Sequence, residues 1–232
     1  MKTILIYDGS FTGFLTAVYR VFEANLKEVS IVKPKHYTPD MFATSEEIIS
    51  SEVKAKRVWN SLEIKATKYS ANQVYKAFLS EIKGTEDVLL RYIKYVYVSE
   101  SFNCVDMSNV NALRVHQVAR MVTREMHHVQ DYLDFKTTEA GVDLAVVNSK
   151  FNLLPLIGSY FKRKYPTKKW FIYDARRDYG LLYDLTSVKQ TTLDAVNETE
   201  ILSRIGLHKG LLFVDKGTQV AMKQSKNTLV AV

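Results

Sequence analysis

The sequence predicts an α+β protein: a mixed β-sheet with a large helical insertion between an N-terminal β-α-β unit and a C-terminal strand-rich half. Three observations predict it. The chain opens on short β-branched runs that flank one amphipathic stretch. Helical periodicity then dominates residues 41–112 and continues to about Gln130. Beyond that point alternating and wholly apolar short runs take over, broken by one further helical pattern.

Thr3-Ile-Leu-Ile-Tyr7 reads as a buried first strand, and Asp8-Gly-Ser10 turns it into a helix. Phe11, Phe14, Leu15, Val18, Tyr19 and Phe22 recur at helical spacing and define that helix's core face. Val29–Val32 is a second strand, followed by a loop over 33–40 with two prolines. In the insertion, Thr44 and Glu47 have capping-box spacing and predict a helix start. Ser70 is placed to cap a helix over 71–82 that Gly84 stops. Thr85, with Glu86 and Asp87 at the positive end of the dipole, starts another that runs to about Ser99. Ser108 begins a longer helix to about Gln130. Strands are expected near 132–137 and 142–147, and a helix over 153–164 with Pro155 in its first turn. Strands near 169–174, 180–184 and 187–193 complete one domain over 1–198. A weakly patterned tail, 199–232, follows.

Composition narrows the function classes. The 232 residues are 47% hydrophobic and 25% charged, which is globular rather than disordered. A net charge of +7 favours anionic partners. The single cysteine, Cys104, excludes an intramolecular disulfide and any multi-thiolate metal or iron–sulfur site within this chain. The first eight residues are strand-like rather than a secretory signal, and no apolar run approaches a membrane span. A cytoplasmic location with no membrane partner is the expectation.

Residues 150–184 hold eight Lys or Arg against three Asp, a local net of 8 − 3 = +5. Arg163, Lys168, Lys169, Arg176 and Arg177, with the aromatic Trp170, are the residue types that hold a phosphate backbone and stack on bases. A hairpin in which the Asp and Arg side chains of 174–178 pair with one another is equally consistent with the pattern. On the 108–130 helix, Val115, Val118, Ala119, Val122, Met126 and Val129 fall on one side. His116, Arg120, Arg124 and His127 fall on the other, a face suited either to nucleic acid or to solvent. Three acids are candidates for catalysis: Asp8, at the carboxyl end of the first strand, and Asp174 and Asp184, which flank the later strands. Capping of the first helix by Asp8 or Ser10 is the alternative role there. His116 and His127 lie three turns apart and His127-His128 diverge, so no metal site is expected, and no cofactor motif appears.

Three blocks carry a family resemblance: Tyr7-Asp-Gly-Ser-Phe-Thr-Gly-Phe-Leu-Thr-Ala-Val-Tyr-Arg-Val-Phe-Glu23; His127-His-Val-Gln-Asp-Tyr-Leu-Asp-Phe-Lys136; and Leu153–Tyr165 running into Trp170–Arg177 and Gly180–Asp184. Across 1–195 the chain resembles an uncharacterised bacterial family of DNA-metabolism proteins, partners of a radical-SAM protein of DNA modification or repair. In some relatives the domain is joined to a uracil-DNA glycosylase-like domain. Two departures stand out. The family's His-Phe pair is Tyr160-Phe161 here, and only Asn227-Thr echoes its Pro-Arg-Tyr-Trp-type ending.

The resemblance implies an accessory nucleic-acid-binding protein that acts on DNA with a radical-SAM partner. The partner would own the three-cysteine cluster, which one cysteine cannot supply. Two alternatives stand beside it. One is an enzyme acting on a damaged base or nucleotide, with an Asp as acid or base and Trp170, Tyr173 and Tyr183 around the base. The other is a structural protein–protein adaptor.

Overall fold

Strands β1 to β8 and helices α1 to α5 follow one another in the computed structural model, which describes residues 2–99, 108–137 and 141–192. The chain divides into two units, 1–127 with 150–153 and 128–149 with 154–232. The class is α+β, with helices between the N-terminal β-α unit and the C-terminal strands as expected. The strands, however, form two sheets rather than one.

In the first unit, β1 (Lys2–Tyr7) lies between β2 (Val29–Val32) and β3 (Ala43–Ile48), all parallel. Ile4 and Leu5, on opposite faces of this central strand, are both buried, as a strand covered on both sides requires. Helix α1 (Phe11–Glu23) starts where the Ser10 hydroxyl accepts the Gly13 N–H at 2.9 Å. Phe14, Leu15, Val18 and Val21 form its buried stripe, whereas Phe22, read as core from its spacing, is 43% exposed.

The β2–β3 connection, residues 33–42, contains a 3-10 turn over Pro34–His36. A cavity of about 570 Å³ separates residues 36–42 from Lys2, Ile4, Ser30 and Val32 of the sheet.

Thr44 and Glu47 do not begin a helix. They sit in β3, held by the backbone ladder to β1 with Leu5 opposite Glu46. The helix cap comes later, at Ser51, whose hydroxyl accepts the Lys54 N–H at the start of α2 (Glu52–Phe78). Helix α2 is interrupted at Thr67 (φ 78°, ψ 153°). Its Oγ1 accepts the Ser70 N–H at 3.4 Å, so the second segment is capped three residues earlier than the sequence suggests. Gly84 does not stop that helix; it is the left-handed N-cap of α3 (Thr85–Val98). In α3's first turn, the Asp87 carboxylate accepts the N–H of Ile31 on the edge of β2 at 3.0 Å. Helix α4 (Val110–Tyr132) buries Val115, Val118, Ala119 and Val122 and exposes Arg120, Arg124 and His127.

The second unit is a mixed sheet in the order β4 (Lys136–Thr137), β5 (Asp143–Val147), β6 (Trp170–Asp174), β7 (Tyr179–Tyr183), β8 (Val188–Thr191). Only β5 and β6 run parallel, joined through α5 (Leu154–Lys164). Strand β6 is buried from end to end. Helix α5 turns Leu154, Ile157 and Phe161 inward. At Gly158 the helix approaches the sheet so closely that a Cβ would stand 3.0 Å from Leu181 Cδ1.

Candidate functional site

Asp8 follows the carboxyl end of β1, and Ser50 follows the end of β3. These are the strands between which the chain reverses its direction across the sheet, where open parallel sheets form their ligand crevice. The Asp8 carboxylate accepts from the Ser10 N–H (2.9 Å), the Ser10 hydroxyl (2.7 Å) and the Ser50 hydroxyl (2.7 Å). Partial burial pushes its pKa up, but the hydrogen bonds from Ser10 and Ser50 outweigh that and hold it below the usual carboxylate range. The site is packed tight against Gly13, where a Cβ would collide with the Asp8 carboxylate and stand 2.7 Å from Ser50 Oγ. Asp8 is therefore ionised and ties β1, α1 and β3 together.

The other two acids are also committed to turns. Asp174 is wholly buried. It accepts the Arg176 and Arg177 N–H groups at 2.9 and 3.3 Å and pairs with the Arg177 guanidinium at 2.9 Å. Arg177 also donates to the Ser149 carbonyl at 3.2 Å. Asp184 accepts the Ser187 and Thr186 N–H groups at 2.8 and 3.0 Å and pairs with Lys189 at 2.9 Å. The Ser187 N–H first, and the Lys189 ammonium after it, hold its carboxyl far below the usual range. Asp174 and Asp184 do not form a cluster. Asp174 pairs with Tyr179 and Trp170 with Tyr183, so Asp174 and Asp184 lie at opposite ends of the β6–β7 hairpin. Asp8 belongs to the first unit.

The basic residues divide in a similar way. Lys162, Arg163 and Lys164 end α5, and Lys168 and Lys169 precede β6, so five exposed cations crowd one end of the second unit's sheet. Lys162 donates to the Thr186 carbonyl at 2.6 Å, and Lys168 stands 3.5 Å from the Asp143 carboxylate. The side chains of Arg163 and Lys169 have no partner among the described residues. Arg176, also exposed and with no side-chain partner among the described residues, lies at the opposite end of β6. Arg177 is locked in the hairpin, the self-paired arrangement left open by the sequence. Arg120, Arg124 and His127 lie exposed along α4 in the first unit.

Trp170 needs correction as a stacking residue. Its ring is fully buried, 6.3 Å from Phe161 and 5.3 Å from Tyr183, so neither face is open to a base. Tyr173 and Tyr183 are buried as well. Cys104 and the tail beyond 192 lie outside the described residues. Among the described residues no group of three or more His, Cys, Asp or Glu could hold a metal. No helix there is long and apolar enough to cross a membrane.

Two features escaped the sequence reading. One is a buried polar pair, in which the Tyr7 hydroxyl donates to Glu86 Oε1 at 2.9 Å. The other is a cleft of about 440 Å³ between α1 and α2, walled by Phe11, Trp59 and Tyr75. Its walls come from separate helices, and nothing in the local pattern of either marks them out.

Residues 83–219 match a family model described as a domain of unknown function. The second and third resemblance blocks and the basic end of the second unit fall inside this span; the block from Tyr7 to Glu23 falls outside it. No curated protein matches the chain.

Proposed function

This chain belongs to the DUF4130 family, a domain of unknown function, and we propose that it is an accessory nucleic-acid-binding protein of DNA metabolism, modification or repair that acts with a radical-SAM partner. The observation that carries the reading is the concentration of Lys162, Arg163, Lys164, Lys168 and Lys169 at one end of the second unit. Lys168 stands near Asp143, but Lys162, Arg163, Lys164 and Lys169 have no acidic partner among the described residues, and such cations can take the place of a phosphate backbone's counterions. The resemblance of the same segment to the DNA-metabolism family supplies the partner class. The commitment of Asp174 and Asp184 to turn hydrogen bonds favours binding over acid–base chemistry at those residues.

Retention of short duplex and single-stranded DNA, measured against salt with and without the radical-SAM partner, tests the proposal. Log affinity falls with log salt for the wild type. The Arg163→Ala/Lys168→Ala/Lys169→Ala variant has a shallower slope. DNA binding that is absent in both conditions, or insensitive to salt, overturns the reading.

A further inference from the structure

We propose that the cleft between α1 and α2 binds a planar heteroaromatic ring of the purine or pyrimidine type, held by Phe11, Trp59 and Tyr75. This goes beyond the basic-end reading and uses none of its residues. The cavity, about 440 Å³, is of ligand size and mainly apolar. Phe11 meets Trp59 edge-on at 5.5 Å and Tyr75 edge-on at 4.9 Å, so the three rings hold one another in place. Behind them, Phe11 also leans on Phe14 and Phe78, at 6.3 and 5.1 Å. The walls are thus preorganised by core packing.

Two of these lining side chains carry unspent donors. Trp59 Nε1–H and the Tyr75 hydroxyl have no hydrogen-bond partner among the described residues, and both side chains are only half-buried. An aliphatic guest would cover the rings and strand both donors, at a desolvation cost. A heteroaromatic base offers faces for stacking and in-plane nitrogen or carbonyl acceptors, so it answers both requirements. Lys56 also lines the cleft. Its only ion pair among the described residues is to Glu52 at 3.7 Å, with both side chains more than 70% exposed, leaving its ammonium available to a phosphate carried by the base. The position agrees with the chemistry, because the cleft includes the first residues of α1 and α2, just beyond the carboxyl ends of β1 and β3.

The two tryptophans separate cleanly as reporters, since Trp170 is buried and Trp59 lines the cleft. Adenosine and uridine titrated into the full chain should quench Trp59 fluorescence saturably. Calorimetry should show about tenfold weaker binding in Tyr75→Phe, the equivalent of one lost hydrogen bond. Tyr75→Phe keeps the ring, and its thermal melt verifies folding. Toluene, which stacks without accepting, should bind more weakly than adenosine and ignore the Tyr75→Phe change. Tighter binding of a five-residue oligodeoxyadenylate than of adenosine supports a base presented on a strand; the reverse order supports a free nucleoside or nucleotide. Failure of both nucleosides to saturate, toluene binding as tightly as adenosine, or an unchanged adenosine affinity in Tyr75→Phe overturns the proposal. The Arg163→Ala/Lys168→Ala/Lys169→Ala variant should bind adenosine as the wild type does, so this site and the DNA-binding reading fail separately.

Discussion

Arg176 and Arg177 are neighbours of the same type with opposite consequences. Arg177→Ala would leave the wholly buried Asp174 carboxylate without its counter-charge, a loss of about 3–5 kcal/mol. Arg176→Ala removes an exposed side chain and should change stability by no more than about 0.5 kcal/mol. Urea denaturation of the two variants distinguishes them. It also sets which of the pair is fit for a binding test. Tyr7 gives a second case. Burial first, then the neighbouring Glu86 charge, pushes its phenol far above its ordinary value of 10.0. A raised pKa favours the protonated form in the folded state. The stabilisation is therefore complete below pH 10 and lost progressively as pH rises above it. Tyr7→Phe should cost about 1.5–3 kcal/mol at neutral pH by leaving Glu86 buried without its donor, and should flatten the alkaline limb of a stability–pH curve. The pairing of Asp174 with its turn was legible, because Asp and Arg in a tight turn reach one another locally. The burial of Trp170 was not, since an all-apolar strand gives no sign of which end stays covered.

At the scale of elements, legibility followed the apolar pattern. Strands β1 and β2 and helices α3, α4 and α5 were readable because each buries a stripe with its own period. Strand β3 was not. Thr44-Ser-Glu-Glu47 has no apolar alternation, since an edge strand needs little burial, and its polar pair mimics a cap. The α2 interruption was misplaced because Thr67 and Ser70 are both competent caps and only the backbone decides between them. The junction of β1, α1 and β3 is the element-scale test. Gly13→Ala would drive a methyl group into the Asp8 carboxylate and against Ser50, separating the hydrogen bond that joins the two strand ends. Overpacking of this kind costs about 1–3 kcal/mol, read as a lowered denaturation midpoint. Two carboxylates, Asp8 at this junction and Asp184 in the turn between β7 and β8, set an acid limit. Asp8 and Asp184 have lowered pKa values, so their stabilisation is present above the ordinary carboxyl value of 3.8 and lost as pH falls below it. Asp184→Asn should make the acid limb less steep in a circular-dichroism titration.

Over the whole molecule, the net charge and its concentration in 150–184 were visible in the sequence, but where the fold carries those cations was not. The sequence treats 150–184 as one basic segment. The fold sends Arg163, Lys168 and Lys169 to one end of β6 and Arg176 to the other. Each phosphate contact adds roughly 0.7–0.9 to the slope of log affinity against log salt. If all three residues touch phosphate, the triple variant should reduce that slope by roughly 2–3, whereas Arg176→Ala should reduce it by no more than about 1. Filter retention across a salt series measures both. The candidate cleft was illegible for a related reason. Phe11 lies on one helix and Trp59 and Tyr75 on another, and only the packing of α1 on α2 brings them to one wall.

The three-stranded sheet also controls how the protein meets copies of itself. On one side Asp87 occupies the Ile31 amide, so a foreign strand would first have to displace a carboxylate. On the other side β3 pairs only with β1 among the described strands, and it meets solvent with Thr44, Ser45 and Glu47. Repeated negative charge on neighbouring chains would repel there before a ladder could form. The polar composition that hid β3 from a sequence reader is thus a guard against polymerisation by strand addition.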